Sequence, residues 1–213
     1  MRSRIGRVVC VGVANIGLAA AWTVGVASPA AAALTCGGQV ATIVGSEEPE
    51  TINGTAGPDV IVGLGGDDII NGQGGDDRLC GDAGNDTLRD RLGSDLVFGG
   101  DGVDTLAAHT SADGADLYNG GPGSDTVTYA ARTAAVSLSL DGLVNDGASG
   151  GEGDSIVATE NLTGGSGGDT LIGGGQANVL NGGGGQDLIT DRAGADTVIA
   201  GTGDDVLLQG ASS

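Results

Sequence analysis

Six aspartates, Asp59, Asp68, Asp77, Asp86, Asp95 and Asp104, stand at a strict nine-residue spacing. Two residues before each is a glycine (Gly57, Gly66, Gly75, Gly84, Gly93, Gly102), and two residues after each is an aliphatic (Ile61, Ile70, Leu79, Leu88, Val97, Leu106). Three residue types held at fixed offsets mark a structural repeat rather than a compositional accident. Carboxylates recurring beside Gly-rich turns offer hard oxygen donors from side chains and from turn carbonyls. Such donors suit Ca2+, which takes about six to eight oxygens with tolerant geometry, better than Mg2+, which demands a tight octahedron and keeps its waters. With one His and three Cys in the chain, zinc and copper lack a ligand set.

The register slips by three residues and resumes at Asp116 with Tyr118 and at Asp125 with Val127. It breaks from about Tyr129 to Leu162, then returns as Asp169, Asn178, Asp187, Asp196 and Asp205, followed by Leu171, Leu180, Ile189, Val198 and Leu207. A degenerate leading copy, residues 45–53, puts Glu50 and Ile52 in the same columns. The two blocks resemble each other over longer stretches, as in Asn85-Asp86-Thr87-Leu88-Arg89-Asp90-Arg91 against Gln186-Asp187-Leu188-Ile189-Thr190-Asp191-Arg192, which points to duplication of a multi-repeat unit. The thirteen column residues from Asp59 to Asp205, with Asn178 among them, are the candidate metal ligands.

The element that positions them follows from the unit G-G-x-G-x-D-x-U-x, where U is aliphatic. Six residues of Gly-rich turn permit positive φ and close backbone approach, and the last three form a very short strand whose middle side chain faces inward. Two units make one turn of a parallel coil. The aliphatic column from two facing sheets then forms a thin core, which accounts for a chain with 45 Gly and only four aromatic residues. Stacking brings each Asp over the Asp 18 residues later, as Asp59 over Asp77, Asp68 over Asp86 and Asp169 over Asp187. Like charges meet there, and the column is repulsive unless cations bind.

These residues resemble the hemolysin-type (RTX) calcium-binding repeat proteins over roughly residues 45–128 and 160–208. The match is closest at Gly63-Leu64-Gly65-Gly66-Asp67-Asp68-Ile69-Ile70, Gly72-Gln73-Gly74-Gly75-Asp76-Asp77-Arg78-Leu79 and Gly81-Asp82-Ala83-Gly84-Asn85-Asp86-Thr87-Leu88. The segment around Cys36 and Leu79-Cys80-Gly81 is similar to secreted actinobacterial members. The resemblance implies an all-β fold, a right-handed parallel β-roll with Ca2+ held between turns by Asp carboxylates and loop carbonyls. It implies no particular activity, because such rolls serve as accessory modules on proteins of many kinds. Departures weaken some units: Asp90, Asp191 and Ala200 replace a first Gly, Gln176 replaces the key Gly, and Asn178 replaces the Asp.

Outside the repeat, Arg2, Arg4 and Arg7 precede an apolar run from Val8 to Val26 and a small-residue stretch that ends at Ala33, the pattern of a secretory signal peptide over residues 1–33. Its removal leaves 28 acids against five Arg and no membrane span. A nucleic-acid partner is excluded by this balance. Cys36 and Cys80 remain as an even pair outside the cell and read as one disulfide.

The expected organisation is a cap segment over 34–44, a first roll block over 45–128, a strand-loop-strand insert over 129–163, a second block over 164–208 and a short tail over 209–213. In the insert, Val136, Leu138 and Leu140 alternate with Ser137 and Ser139 as a half-buried strand, and residues 155–162 read as its return strand. Asp146, Glu152 and Asp154 read as a solvated loop, with binding of a further cation as the alternative, and Asp113 competes with Asp116 without its flanking columns. His109 reads as a loop residue; no base, nucleophile or zinc motif is placed for catalysis. The expectation is a secreted, non-enzymatic Ca2+-binding protein, with calcium-dependent cell-surface adhesion and carbohydrate binding as alternatives. A cell-surface or glycan partner and end-to-end self-association are the interactions it leaves open.

Overall fold

A computed structural model of the chain describes residues 33–148 and 152–210. The expected signal peptide lies outside the described residues except for Ala33, as do residues 149–151 of the insert and 211–213 of the tail. Every regular element among the described residues is a strand, and no helix there is long and apolar enough to cross a membrane. The strands form one sheet of eight and one of eleven, with a small hairpin, Thr35–Cys36 against Gln39–Val40, at the N-terminal end. The result is a parallel β-solenoid of about nine turns, each contributing one strand to each sheet.

The strand positions follow the repeat. Ile61 stacks on Leu79 and Leu79 on Val97 in the larger sheet, while Ile70 stacks on Leu88 and Leu88 on Leu106 in the smaller. These inward side chains form a single cluster with no exposed surface through most of the roll. Each contributes about 1.5–3 kcal/mol by burial. From Ile69 to Asp101 the strands lengthen to six residues, so that they take in the first three positions of each turn.

The three-residue slip is absorbed in the loop of residues 108–116. Val97 stacks on Tyr118 and Leu106 on Val127, each 21 residues on rather than 18. The roll then resumes earlier than residue 164. Tyr118 stacks on Ile156 and Val127 on Leu162, so Asp154–Val157 and Asn161–Thr163 are the two strands of one further coil and lie in different sheets, not one return strand. The turn between them needs no Gly because Ala158 itself adopts φ +46°. Only Val136–Ser139 and Val144–Ala148 form a true insert, antiparallel to each other and wedged into the larger sheet between Asp154–Val157 and Thr170–Ile172.

The two ends differ. At the N-terminal end Cys36 and Cys80 are buried with Val60 and Val62, partly covered by Phe98, and their sulfurs are at disulfide distance with Cα atoms 5.8 Å apart. At the C-terminal end the last strand exposes Val206 (52 %), Leu207 (52 %) and Leu208 (50 %) beside an unpaired edge.

The key glycines have a steric reason that the spacing alone does not reveal. Gly75 has φ +106°, and a Cβ there would lie 2.6 Å from the carbonyl carbon of Gly57 in the preceding turn. At Gly57 itself a Cβ would meet nothing within 4 Å. Gly75→Ala is therefore expected to destabilise the calcium-loaded protein by about 2–3 kcal/mol, from left-handed strain plus the clash, while Gly57→Ala changes it by less than about 1 kcal/mol. Thermal unfolding of the two variants in excess Ca2+ checks this, and equal shifts would contradict it.

Candidate metal sites

The carboxylate columns are built from the backbone outward. The N–H of each column residue donates to Oδ1 of the column residue one coil further on: Asp59 to Asp77 (2.9 Å), Asp68 to Asp86 (2.8 Å), Asp77 to Asp95 (2.7 Å) and Asp86 to Asp104 (2.8 Å). The second block repeats this from Asp169 to Asp187, Asn178 to Asp196 and Asp187 to Asp205. Across the slip, Asp95 donates to Asp116 and Asp104 to Asp125. Asp113 stays out of the ladder, although its side chain is only 4 % exposed.

Two column members escaped the sequence reading. Asp116 donates to Asp154 and Asp125 to Glu160, which makes those two acids the next rungs. Asp154 is fully buried rather than part of a solvated loop. Each stands two residues before its aliphatic, Ile156 or Leu162, but neither has the Gly two residues before it. The acid-to-aliphatic offset alone was the available signal.

The second carboxylate oxygens decide what the site can do. Oδ2 of Asp68, Asp77, Asp86, Asp95, Asp104, Asp125 and Asp187 is buried and accepts no hydrogen bond. All of these but Asp95 share their space with a carbonyl from the next coil. A Cβ on Gly63 would sit 2.7 Å from both Asp68 Oδ2 and the Gly81 carbonyl oxygen, and one on Gly72 would sit 2.5 Å from Asp77 Oδ2 and 2.6 Å from the Asp90 carbonyl oxygen. The same pairing recurs at Gly81, Gly99, Gly120 and Gly182. A buried carboxylate oxygen without a donor, facing a carbonyl oxygen, is unfavourable on its own and is what a hard cation satisfies. Among the described residues no three His, Cys, Asp or Glu side chains converge. Carbonyls must therefore complete the shell, a donor set that fits Ca2+ and not zinc.

Electrostatics agree. Burial raises Asp77 and Asp104 to about 6 and Asp95 to about 7, with the column neighbours adding to the shift, and it moves Asp68, Asp86 and Asp169 in the same direction. Without metal, the folded roll thus binds more protons than the unfolded chain between about pH 4 and 7, and its stability falls as pH rises through that window. In chelator, strand content measured by circular dichroism is expected to be greater at pH 5 than at pH 7.5. With Ca2+ present the trend inverts, because protons and Ca2+ compete for the same oxygens.

At the slip and insert, side chains donate to carboxylates of the kind that elsewhere in the columns have no donor. Tyr118, fully buried, donates to Asp90 and lies 3.3 Å from Asp116 Oδ2, and Tyr129 donates to Asp154 Oδ2 (2.5 Å). Burial pushes Asp90 well up and Asp154 to about 7. Arg132, 1 % exposed, makes a two-pronged ion pair with Glu152, donates to the His109 carbonyl, lies 3.8 Å from Asp113 and sits 5.2 Å over the Tyr129 ring. Burial alone would raise Glu152, but its bonds to Arg132 outweigh that and hold it below the ordinary value. His109 contributes its carbonyl and a surface contact, in keeping with a loop role. Arg132→Met is expected to lower stability by about 3–5 kcal/mol because it strands Glu152, and adding Glu152→Leu should recover most of the loss. Urea unfolding in excess Ca2+ measures both.

No curated protein matches the chain. The family model for the RTX calcium-binding nonapeptide repeat matches it over residues 44–79, 81–109, 110–127, 158–189 and 190–208. The fourth of these segments takes in Glu160 and Leu162, in agreement with a roll that resumes before residue 164. Together the matched segments cover more than half of the 213 residues and carry nearly every rung of the two columns, so the chain belongs to the RTX calcium-binding nonapeptide repeat family.

Proposed function

We propose that this chain is an exported, non-catalytic calcium-binding protein whose roll folds as Ca2+ enters between successive turns. The observation that carries the reading is the set of seven buried Oδ2 atoms without a hydrogen-bond donor, six of them beside a carbonyl of the next coil. Column carboxylates supply the side-chain ligands, and the Gly-rich turns supply the rest. Export is supported by the leader-like pattern of residues 1–33 and by Cys36 and Cys80, which lie at disulfide distance and would tie the cap to the third coil. Such a bond closes a loop of about 45 residues, worth roughly 4 kcal/mol in the chain-entropy model.

Ion binding and folding are one process here. A carboxylate column in the unfolded chain is solvated and flexible, while in the coil it is dehydrated and must be neutralised. Each site filled at 100 times its dissociation constant adds about 2.7 kcal/mol to the folded state. Circular dichroism of the chain without residues 1–33 should therefore change from mainly unordered in chelator to strand-rich at millimolar Ca2+, with Mg2+ at equal concentration far less effective. A spectrum indifferent to Ca2+ would overturn the reading.

A further inference from the structure

In the regular turns, the residue four positions before the column carboxylate takes one of two backbone conformations. At Leu64, Gln73, Asp82, Arg91, Gly100, Gly121 and Gly183 it is left-handed, with φ from 69° to 117°. The carboxylates that follow these residues are the seven column acids whose Oδ2 lacks a donor. The amide of such a residue turns away from its own carboxylate, as where Gly100 donates to the Gly120 carbonyl (3.0 Å) and Gly121 to the Ala158 carbonyl (3.1 Å). These turns are open toward an ion.

At Thr55, Gly165 and Gly174 the residue is not left-handed. Its amide instead closes on the side chain four residues on: Thr55 donates to Asp59 Oδ2 (2.6 Å), Gly165 to Asp169 Oδ2 (2.6 Å) and Gly174 to Asn178 Oδ1 (2.8 Å). Ser46 does the same to Glu50 Oε1 (2.5 Å). In these turns a backbone N–H dipole supplies the positive partner that the open turns lack.

Residue type does not set the choice. Gly165 and Gly174 could turn left-handed freely and do not, whereas Leu64, Gln73, Asp82 and Arg91 do so although a side chain there costs about 1–2 kcal/mol. Strain of this kind persists where the surroundings impose it, often at functional positions. Asn178, the one uncharged residue in the columns, is in a closed turn, where no full charge is needed. Asn178 also uses its Nδ2 to donate to the Glu160 carbonyl (2.7 Å), a bond an ion-binding carboxylate could not make.

Closed turns come in pairs, each pair being one full coil: Glu50 and Asp59 at the start of the roll, and Asp169 and Asn178 in the coil that follows the insert. The turns after Asn178 are left-handed again, at Gly183, Arg192 and Gly201. Resting on the calcium-binding reading above, we propose that the closed turns take no Ca2+, so that one metal-independent coil stands at the start of the roll and another follows the insert, each with ion-binding coils stacked on it. Asp59, Asp169 and Asn178 thereby leave the set of metal ligands expected from the repeat.

The test compares Asp59→Asn and Asp169→Asn with Asp77→Asn and Asp187→Asn in the chain without residues 1–33, with bound Ca2+ counted by equilibrium dialysis. The closed-turn variants should bind as many ions as the unaltered protein, and each open-turn variant should lose at least one ion or bind it about tenfold more weakly. Closed-turn variants that lose as many ions as the open-turn ones, with an unaltered calcium-loaded circular dichroism spectrum, would overturn the proposal. An unaltered protein that binds no Ca2+ would instead refute the calcium reading itself. As a second measurement, hydrogen exchange in chelator should be slower at the amides of Thr55, Gly165 and Gly174 than at those of Gly100 and Gly121; equal rates would also overturn it.

Discussion

Carboxylate above carboxylate, one coil apart and out of water, is the arrangement that the rest of this molecule answers to. The first oxygen of most of the acids is satisfied by the peptide N–H of the acid one coil earlier, which fixes the vertical alignment of the turns. The second oxygen needs a positive partner, and the chain uses several: turn amides at Asp59 and Asp169, tyrosine hydroxyls at Asp116 and Asp154, and the open oxygen pairs that suit an ion elsewhere. Glycine at the first turn position follows directly, because a Cβ would occupy the space where carboxylate and carbonyl oxygens meet. The unusual composition is thus a consequence of where the oxygens are.

The aliphatic core is subordinate to this arrangement. One inward side chain per nonapeptide gives a column one residue wide on each sheet, continuous but thin. Such a core cannot absorb uncompensated charge, since a few kcal/mol of buried apolar surface per coil is of the same order as one unpaired carboxylate. Each coil also contacts mainly its two neighbours, so stability is added coil by coil rather than in one global step. The buried Arg132–Glu152 pair sits where the regular stacking is interrupted, and there a covalently attached cation makes the middle of the roll less dependent on dissolved ions.

Much of this was legible in the sequence because the repeat couples chemistry to geometry. The nine-residue spacing gave the strands, the inward aliphatics and the 18-residue stacking of Asp59 over Asp77 and Asp169 over Asp187. What it hid was every place where one residue type substitutes for another with the same physical role. Asp154 and Glu160 lack the glycine two residues before them, and Ala158 makes a left-handed turn that composition does not announce. The roles of Tyr118, Tyr129 and Arg132 depend on a fold-back across the slip and have no local signature. The conformation at Leu64 or Gly165 is set by neighbouring coils, so it was out of reach of any reading along the chain.

The similar segments 85–91 and 186–192 end up on opposite sides of the roll. Leu88 lies in the eight-stranded sheet, whereas its counterpart Ile189 lies in the eleven-stranded one. A duplicated stretch therefore did not have to preserve which face it came from. The interchangeable unit of the fold is the single nonapeptide, half a coil, and not the full coil of 18 residues. An odd number of added or lost units would hand every later strand to the other sheet, and a nonapeptide whose inward side chain is aliphatic fits either one.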